Sequence, residues 1–245
     1  MATLGIGVGV QKIMLLNPKG GCGKTTIGTS LASYFAASGH ATVLLDYDSQ
    51  GSSTRWLQCR PQEYLEIHGI AAYLTPPGVT RTWQMRFPTG VQKVVVDTAA
   101  GLSVKQLPDM VDQADFFVVP VLPSRIDIDA AADFLKALSR MPGVRGGTKR
   151  VAVVANRVRG NRRLVRELKS FLAAQEFSFV TSFRESSNYM RATELGIGIH
   201  DLSQNRNRVD RQQWEPLLDW LGVSPQRQQQ SWTTNEIGDQ PQASA

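Results

Sequence analysis

The chain has 245 residues, of which 42% are hydrophobic, and a net charge of +6. This suffices for one α/β domain with a sizeable core and excludes a chain disordered throughout. No run approaches the roughly 18 apolar residues of a membrane span, and the opening "MATLGIGVGVQ" lacks the basic start of a signal peptide.

Residues 1–11 read as a flexible N-terminus. "KIMLLN" (Lys12–Asn17) is an apolar run stopped by Pro18 and glycines, a buried strand followed by a turn. "TTIGTSLASYFAAS" then carries Ile27, Leu31, Tyr34 and Phe35 at helical spacing, and Gly39 stops it. "ATVLLDYD" is a second strand, ending in acids. Glu63–Phe87, with "TPPG", follows neither period; it has room for an edge strand and an excursion loop. "VQKVVVDTAAG", "ADFFVVPVLP" and "KRVAVVANRV" are the third, fourth and fifth strands, and "FSFVTSF" the sixth. Helical stretches at Ile128–Met141 and Arg162–Ala174 lie between them. "QQWEPLLDWLG" (Gln212–Gly222) predicts a helix docked through Trp214, Leu217, Leu218 and Leu221 and interrupted by Pro216. Residues 223–245, rich in Gln, Ser and Pro, read as a disordered polar tail. Apolar strands alternating with helices predict a single doubly wound α/β domain over residues 12–222, its mostly parallel sheet covered on both faces. Cys22 and Cys59 lack metal-ligand spacing and suit a reducing cytosol as unpaired thiols.

Between the first strand and the first helix stands Lys19-Gly20-Gly21-Cys22-Gly23-Lys24-Thr25-Thr26. A strand, a glycine-rich turn, Lys-Thr and a helix form the setting of a phosphate-binding loop. The glycines let backbone N–H groups converge on phosphate oxygens, and the helix N-terminus adds a favourable dipole. Lys24 is expected to bridge the β- and γ-phosphates, and the Thr25 hydroxyl to hold Mg²⁺.

Lys19 fits a narrower pattern. Residues 19–26 resemble the deviant Walker A motif, KGGxGK[ST], of the ParA/MinD family of P-loop ATPases, and the resemblance extends over residues 12–222. It implies ATP and Mg²⁺ as cofactors and ATP hydrolysis that is weak until a partner stimulates it. It also implies a homodimer that closes on ATP, in which Lys19 reaches the phosphates held by the other subunit. The physics agrees: a lysine at the loop entrance points away from its own γ-phosphate site. Its charge counts most where a second protomer excludes water.

Asp46 and Asp48 end the second strand two residues apart, so both can face one side. The family pattern is DxDPQGN, and the resemblance gives Asp48 the attacking water and Asp46 a place in the Mg²⁺ shell. Gln50 and Gly51 match; Ser49 and Ser52 stand where the family has proline and asparagine. "KVVVDTAAG" looks like the Walker B strand, with Asp97 holding the Mg²⁺ shell through water and Gly101 free to move with the second switch. Ala99 replaces a family proline. Asn156 ends the fifth strand, where the family contacts adenine.

Of 27 basic residues, 15 lie from residue 141 onward, against 10 of 21 acidic ones. From Arg145 to Lys169 the one acid is Glu167. Arg159, Arg162, Arg163 and Arg166 are spaced as on one helix face, though Gly160 leaves only the last three in the helix proper. With Arg157 and Lys169, and with Arg184 and Arg191 extending it, this surface fits sequence-independent contact with DNA phosphates. The resemblance points the same way, because ParA-type members bind chromosomal DNA as ATP dimers. A MinD-type membrane helix is not evident at the polar, Gln-rich end, and no N-terminal length is left for a helix-turn-helix module. Paired interface cysteines for electron transfer are absent, and a small-molecule kinase or ligase would leave the basic half unexplained. The expectation is therefore a cytoplasmic, nucleoid-associated positioning ATPase that dimerises on ATP, binds nonspecific DNA and is released by a cargo-linked activating protein. The alternatives are a MinD-like membrane-associated regulator and a non-enzymatic ATP-gated scaffold.

Overall fold

Seven strands, β1 (Gln11–Leu15), β2 (Thr42–Asp46), β3 (Ile67–Ala71), β4 (Lys93–Asp97), β5 (Phe116–Val121), β6 (Arg150–Val158) and β7 (Ser178–Arg184), form one sheet in the order β3-β2-β4-β1-β5-β6-β7. Every neighbouring pair is parallel. In this computed structural model, residues 9–74, 87–160, 162–174 and 177–223 are described, without the side chains of Arg162, Gln204 and Arg206. The helices of the described residues are α1 (Lys24–Ala37), α2 (Ser52–Gln58), α3 (Leu107–Asp112), α4 (Arg125–Ser139), α5 (Pro142–Arg145), α6 (Arg162–Ala174), α7 (Ser187–Glu194) and α8 (Gln204–Trp220).

The continuous apolar strands are buried on both faces, as a parallel sheet requires. On one face Ile13, Leu15, Leu44, Val95, Val118 and Val154 pack against Ile27, Leu31 and Phe35 of α1 and Trp214, Leu217 and Leu218 of α8. On the other, Met14, Leu16, Val43, Val96, Phe117 and Val153 meet Met110 of α3, Ile128 and Leu135 of α4 and Leu168 and Leu172 of α6. The doubly wound domain is thus as the alternating pattern predicts. Connections diverge to either side of β1, so the crevice beyond its C-terminal end is the natural ligand position of such a sheet.

Several boundaries differ from the sequence reading. The segment that follows neither period holds the edge strand β3, whose Gly69 lies under the Leu57 side chain, the end of which would have to shift to admit a Cβ; residues 75–86, the rest of the expected excursion, lie outside the described residues. α4 starts at Arg125, not Ile128, because Ser124 caps it by accepting from the Asp127 N–H. α8 starts at Gln204, eight residues before the predicted helix, and runs through Pro216. Packing of Trp214, which is 0% exposed, overrides the local cost of that proline. Gln11, assigned to the flexible start, opens β1, and Val223, assigned to the tail, is buried in the core. Residues 1–8 and 224–245 of those two segments lie outside the described residues.

His200 sits between Tyr34 and Trp214, with ring centroids 4.8 and 5.3 Å away. Burial, with Arg211 nearby, lowers its pKa from 6.5 to about 3, and among the described residues its buried Nε2 has no hydrogen-bond partner. The unfolded chain therefore binds a proton below pH 6.5 that the folded chain refuses until about pH 3, so stability contributed by this residue is lost as pH falls. Asp97 acts in the opposite sense, its folded pKa being raised to about 6. The His200 contribution is thus read as the difference in denaturant stability between the native chain and His200→Phe. That difference should shift against the native chain by ~1.4 kcal/mol per pH unit below 6.5. A constant difference from pH 7.5 to 5 would exclude a buried neutral imidazole.

Candidate functional site

The loop after β1 is shaped by Asn17, a residue 2% exposed whose part in the site its sequence context does not signal. Its Nδ2 donates to Pro120 O of β5 at 2.6 Å, and its Oδ1 accepts from the Lys19 N–H at 2.8 Å. Gly21 and Gly23 take left-handed φ values of 72° and 97°, which only glycine adopts cheaply. α1 then begins at Lys24 with no side-chain cap and no acid in its first turn, so its N–H groups remain free to meet an anion. Lys24, 7% exposed, is folded back: its Nζ donates to Asn17 O at 3.0 Å and Lys19 O at 3.1 Å. Cys22 Sγ also donates to Lys19 O, at 3.3 Å, and burial pushes this thiol above its ordinary range.

The predicted acids converge beside the loop in unequal settings. Asp97 at the end of β4 is 0% exposed; its Oδ2 accepts from Thr25 Oγ1 at 2.8 Å and Ser53 Oγ at 2.5 Å. Among the described residues its Oδ1 has no hydrogen-bond partner. Burial raises the carboxyl from 3.8 to about 6, against the opposing hydrogen bonds from Ser53 and Thr25. Asp46 is turned toward α2, with Oδ2 accepting from Thr54 N and Oγ1, both at 2.9 Å, and Oδ1 from Asp48 N at 3.0 Å. Asp48 is half-buried and its Oδ1 accepts from Gln50 N at 2.9 Å, closing the turn ahead of Gly51. Gly101, φ 77°, donates to Pro18 O at 2.7 Å and so joins the loop after β4 to the phosphate loop. An orphaned carboxylate oxygen beside a threonine hydroxyl and a lysine is a donor set that fits a hydrated Mg²⁺ on a phosphate. Thr25 and Asp97 are the residues that could hold it.

A cavity of about 650 Å³ opens beside Thr26. Its wall includes Asn156, Arg157, Arg159, Arg184 and Ser186, with Tyr189 and Met190 of α7. Asn156 Nδ2 donates to Cys22 O at 2.7 Å, which ties this wall to the loop. Arg184 is not part of the α6 surface: it makes bonds of 2.5 and 3.1 Å to Asp210, a buried carboxylate that also accepts from Asn188 at 2.6 Å and Ser186 at 3.2 Å. Burial favours protonation of Asp210, but the hydrogen bonds led by Arg184 outweigh it and hold the carboxyl below its usual range. This network fixes the start of α7. Arg159 pairs with Glu185. The basic residues expected to form one face therefore divide. Arg157, Arg159 and Arg184 border the cavity, Arg157 and Arg159 while still exposed to solvent, whereas Arg163, Arg166 and Lys169 are exposed on α6 and Arg191 on α7. Arg163 pairs with Glu167 at 3.0 Å, and the Arg162 side chain lies outside the described residues. Ser53 and Asp210, like Asn17, gain their parts in the site from contacts across the fold.

Over residues 13–196 the chain matches the family described as the CobQ/CobB/MinD/ParA nucleotide binding domain. It is 24% identical over 200 residues to the maintenance of carboxysome distribution protein A of Halothiobacillus neapolitanus, spanning 81% of this chain and 91% of that one. To the chromosome-partitioning ATPase Soj of Thermus thermophilus it is 29% identical over 156 residues, 54% of this chain and 63% of that one. The ATP complex of a Cyanothece McdA shares its fold with a TM-score of 0.66 at 16% identity, over 88% of this chain and 98% of that one. The Mg-ADP complex of Pyrococcus horikoshii MinD does so with a TM-score of 0.63 at 12% identity, over 89% and 100%. The α/β architecture is therefore that of the P-loop fold, and the chain belongs to the CobQ/CobB/MinD/ParA nucleotide-binding family.

Proposed function

We propose that this chain is an ATP-dependent positioning ATPase of the partition type, which closes as a homodimer on ATP and Mg²⁺. The observation that carries the reading is the division of labour within Lys19. Its N–H and carbonyl are built into the loop through Asn17, Lys24 and Cys22, yet among the described residues its ammonium has no partner. A cation held at the loop entrance by its own backbone is free to be lent to a second copy. Lys24 would exchange its two loop carbonyls for the β- and γ-phosphates. Thr25 and Asp97 would hold Mg²⁺, with Asp46 supporting the shell by fixing the turn that carries Asp48. Bound Mg²⁺ would neutralise phosphate charge in the reacting triphosphate. Asp48 would orient the attacking water, and Asn156 would hold the base end of the site against the loop.

The exposed Arg163, Arg166 and Lys169 of α6, with Arg191, would supply a nonspecific contact with DNA phosphates that weakens steeply with salt. A partner protein linked to the cargo would stimulate hydrolysis and release. The names of the relatives cover carboxysome distribution, chromosome partitioning and cell division, so the cargo belongs to the class of large assemblies or replicons.

Asp48→Ala tests this reading. It should lower ATP hydrolysis by about 100-fold or more while leaving the ATP-induced dimer intact. Cargo positioning in cells should fail with it. Positioning that survives complete loss of hydrolysis would make the chain an ATP-gated scaffold instead. Retention of the ATP form by liposomes and not by DNA would assign it to a membrane.

A further inference from the structure

Asp46 and Asp97 end neighbouring strands and are Cα partners across the β2–β4 pair. Two carboxylates so placed repel each other, and the first turn of α2 attends to both. Ser53 donates to Asp97 Oδ2. The next residue, Thr54, donates to Asp46 Oδ2 from both its N–H and its hydroxyl. The outcome is unequal. Asp46 has both oxygens filled, since the Asp48 N–H takes Oδ1. Asp97 Oδ2 accepts two hydroxyls, from Ser53 and Thr25, while Oδ1 accepts none among the described residues.

Two donors on one oxygen and none on the other is a costly arrangement for a fully buried carboxylate, because an unmet buried acceptor has lost its water without replacement. One hydroxyl on each oxygen would meet both. Ser53 is fully buried too, and it comes from α2, beyond the turn of Asp48 and Gly51, not from the phosphate loop. Its contact is therefore set by the placement of α2 against the end of β4. Two fixed donors at one oxygen hold a carboxylate in one orientation. The bare oxygen is then kept for a ligand that is not protein.

We infer that Ser53 is a positioning residue for the Mg²⁺ site: its hydroxyl fixes the Asp97 carboxylate so that Oδ1 stays open to the ion's hydration shell. This rests on the reading of Thr25 and Asp97 as the residues that hold Mg²⁺. Ser53 acts through Asp97 alone, as outer partners of metal ligands do. Thr54 is its counterpart on an acid with no open oxygen, and it has no share in the metal site.

The full-length chain and its Ser53→Ala, Ser53→Cys and Thr54→Ala variants are titrated with ADP in excess Mg²⁺ and in EDTA, and melted without ligand. The quantity read is the ratio of the ADP Kd in EDTA to that in Mg²⁺. In Ser53→Ala this ratio should fall about tenfold, or to one where the native ratio is smaller, the scale of losing an outer partner of a metal ligand. The Kd in EDTA should stay within about twofold of native. Ser53→Cys, which keeps the shape and a weaker donor, should fall between. Thr54→Ala should keep the native ratio within about twofold, whatever its melting temperature. A Ser53→Ala ratio within about twofold of native overturns the inference. So does an ADP affinity that falls equally in Mg²⁺ and in EDTA, the mark of a structural role, or an equal fall of the ratio in Thr54→Ala, which would make the effect one of α2 as a whole. A native chain that binds ADP equally well with and without Mg²⁺ would overturn the underlying reading of the site instead.

Discussion

Lys19→Ala is expected to leave the chain monomeric in the presence of Mg²⁺ and a nonhydrolysable ATP analogue, under conditions where the native chain is a dimer by light scattering. ATP affinity of the monomer should change by no more than about threefold, because the loop uses the Lys19 N–H and carbonyl, which alanine retains. Hydrolysis should fall by about 100-fold or more, the usual effect of removing one preorganised charge from a developing phosphoryl transition state. Lys19→Arg should not rescue it fully, since a planar fork does not replace a compact ammonium at a point contact. Binding and dimerisation are thus predicted to separate at one side chain. An alanine variant that still dimerises on ATP would remove the basis for the positioning reading, as would a native chain that stays monomeric.

Gly23→Ala should weaken nucleotide binding strongly and destabilise the fold. Gly23 has φ 97°, where an L-residue costs about 1–2 kcal/mol. A Cβ there would also stand 2.1 Å from Asn156 Nδ2, the atom that donates to Cys22 O. Either Asn156 swings away and breaks the tie between loop and cavity wall, or the loop shifts and its N–H groups lose their convergence. A loss of about 3 kcal/mol in binding, or roughly 100-fold in Kd, is the expected scale. Gly39→Ala is the control: its φ is 83° but nothing lies within 4 Å of its added methyl, so it should show the conformational cost alone. Adding Asn156→Ala to Gly23→Ala should recover part of the stability by removing the collision. Nucleotide titration and thermal melting read both effects. Native-like binding by Gly23→Ala would mean that the loop conformation described here is wrong.

Features set by neighbours in the chain were legible in the sequence. The phosphate loop depends on residues 19–26 between a strand and a helix, all within one short stretch. The doubly wound sheet is written in apolar runs, because a strand buried on both faces has no polar side to show. α6 even begins and ends where its charge and apolar spacing place it, at Arg162 and Ala174.

Features set by distant partners were not legible. Asn17 acts through a carbonyl 103 residues away, Ser53 through an acid 44 residues on, and Arg184 through an acid 26 residues on. The arginines show the physical reason most clearly. In sequence they carry one sign and one spacing, so Arg157, Arg159 and Arg184 read like Arg163 and Arg166. Register shifts at two points of the β6–β7 pair break the alternation on which any facing argument depends, and a buried carboxylate on α8 captures Arg184. Charge type is a property of the sequence; which surface or cavity receives the charge is decided by strand register and by partners that only folding brings together.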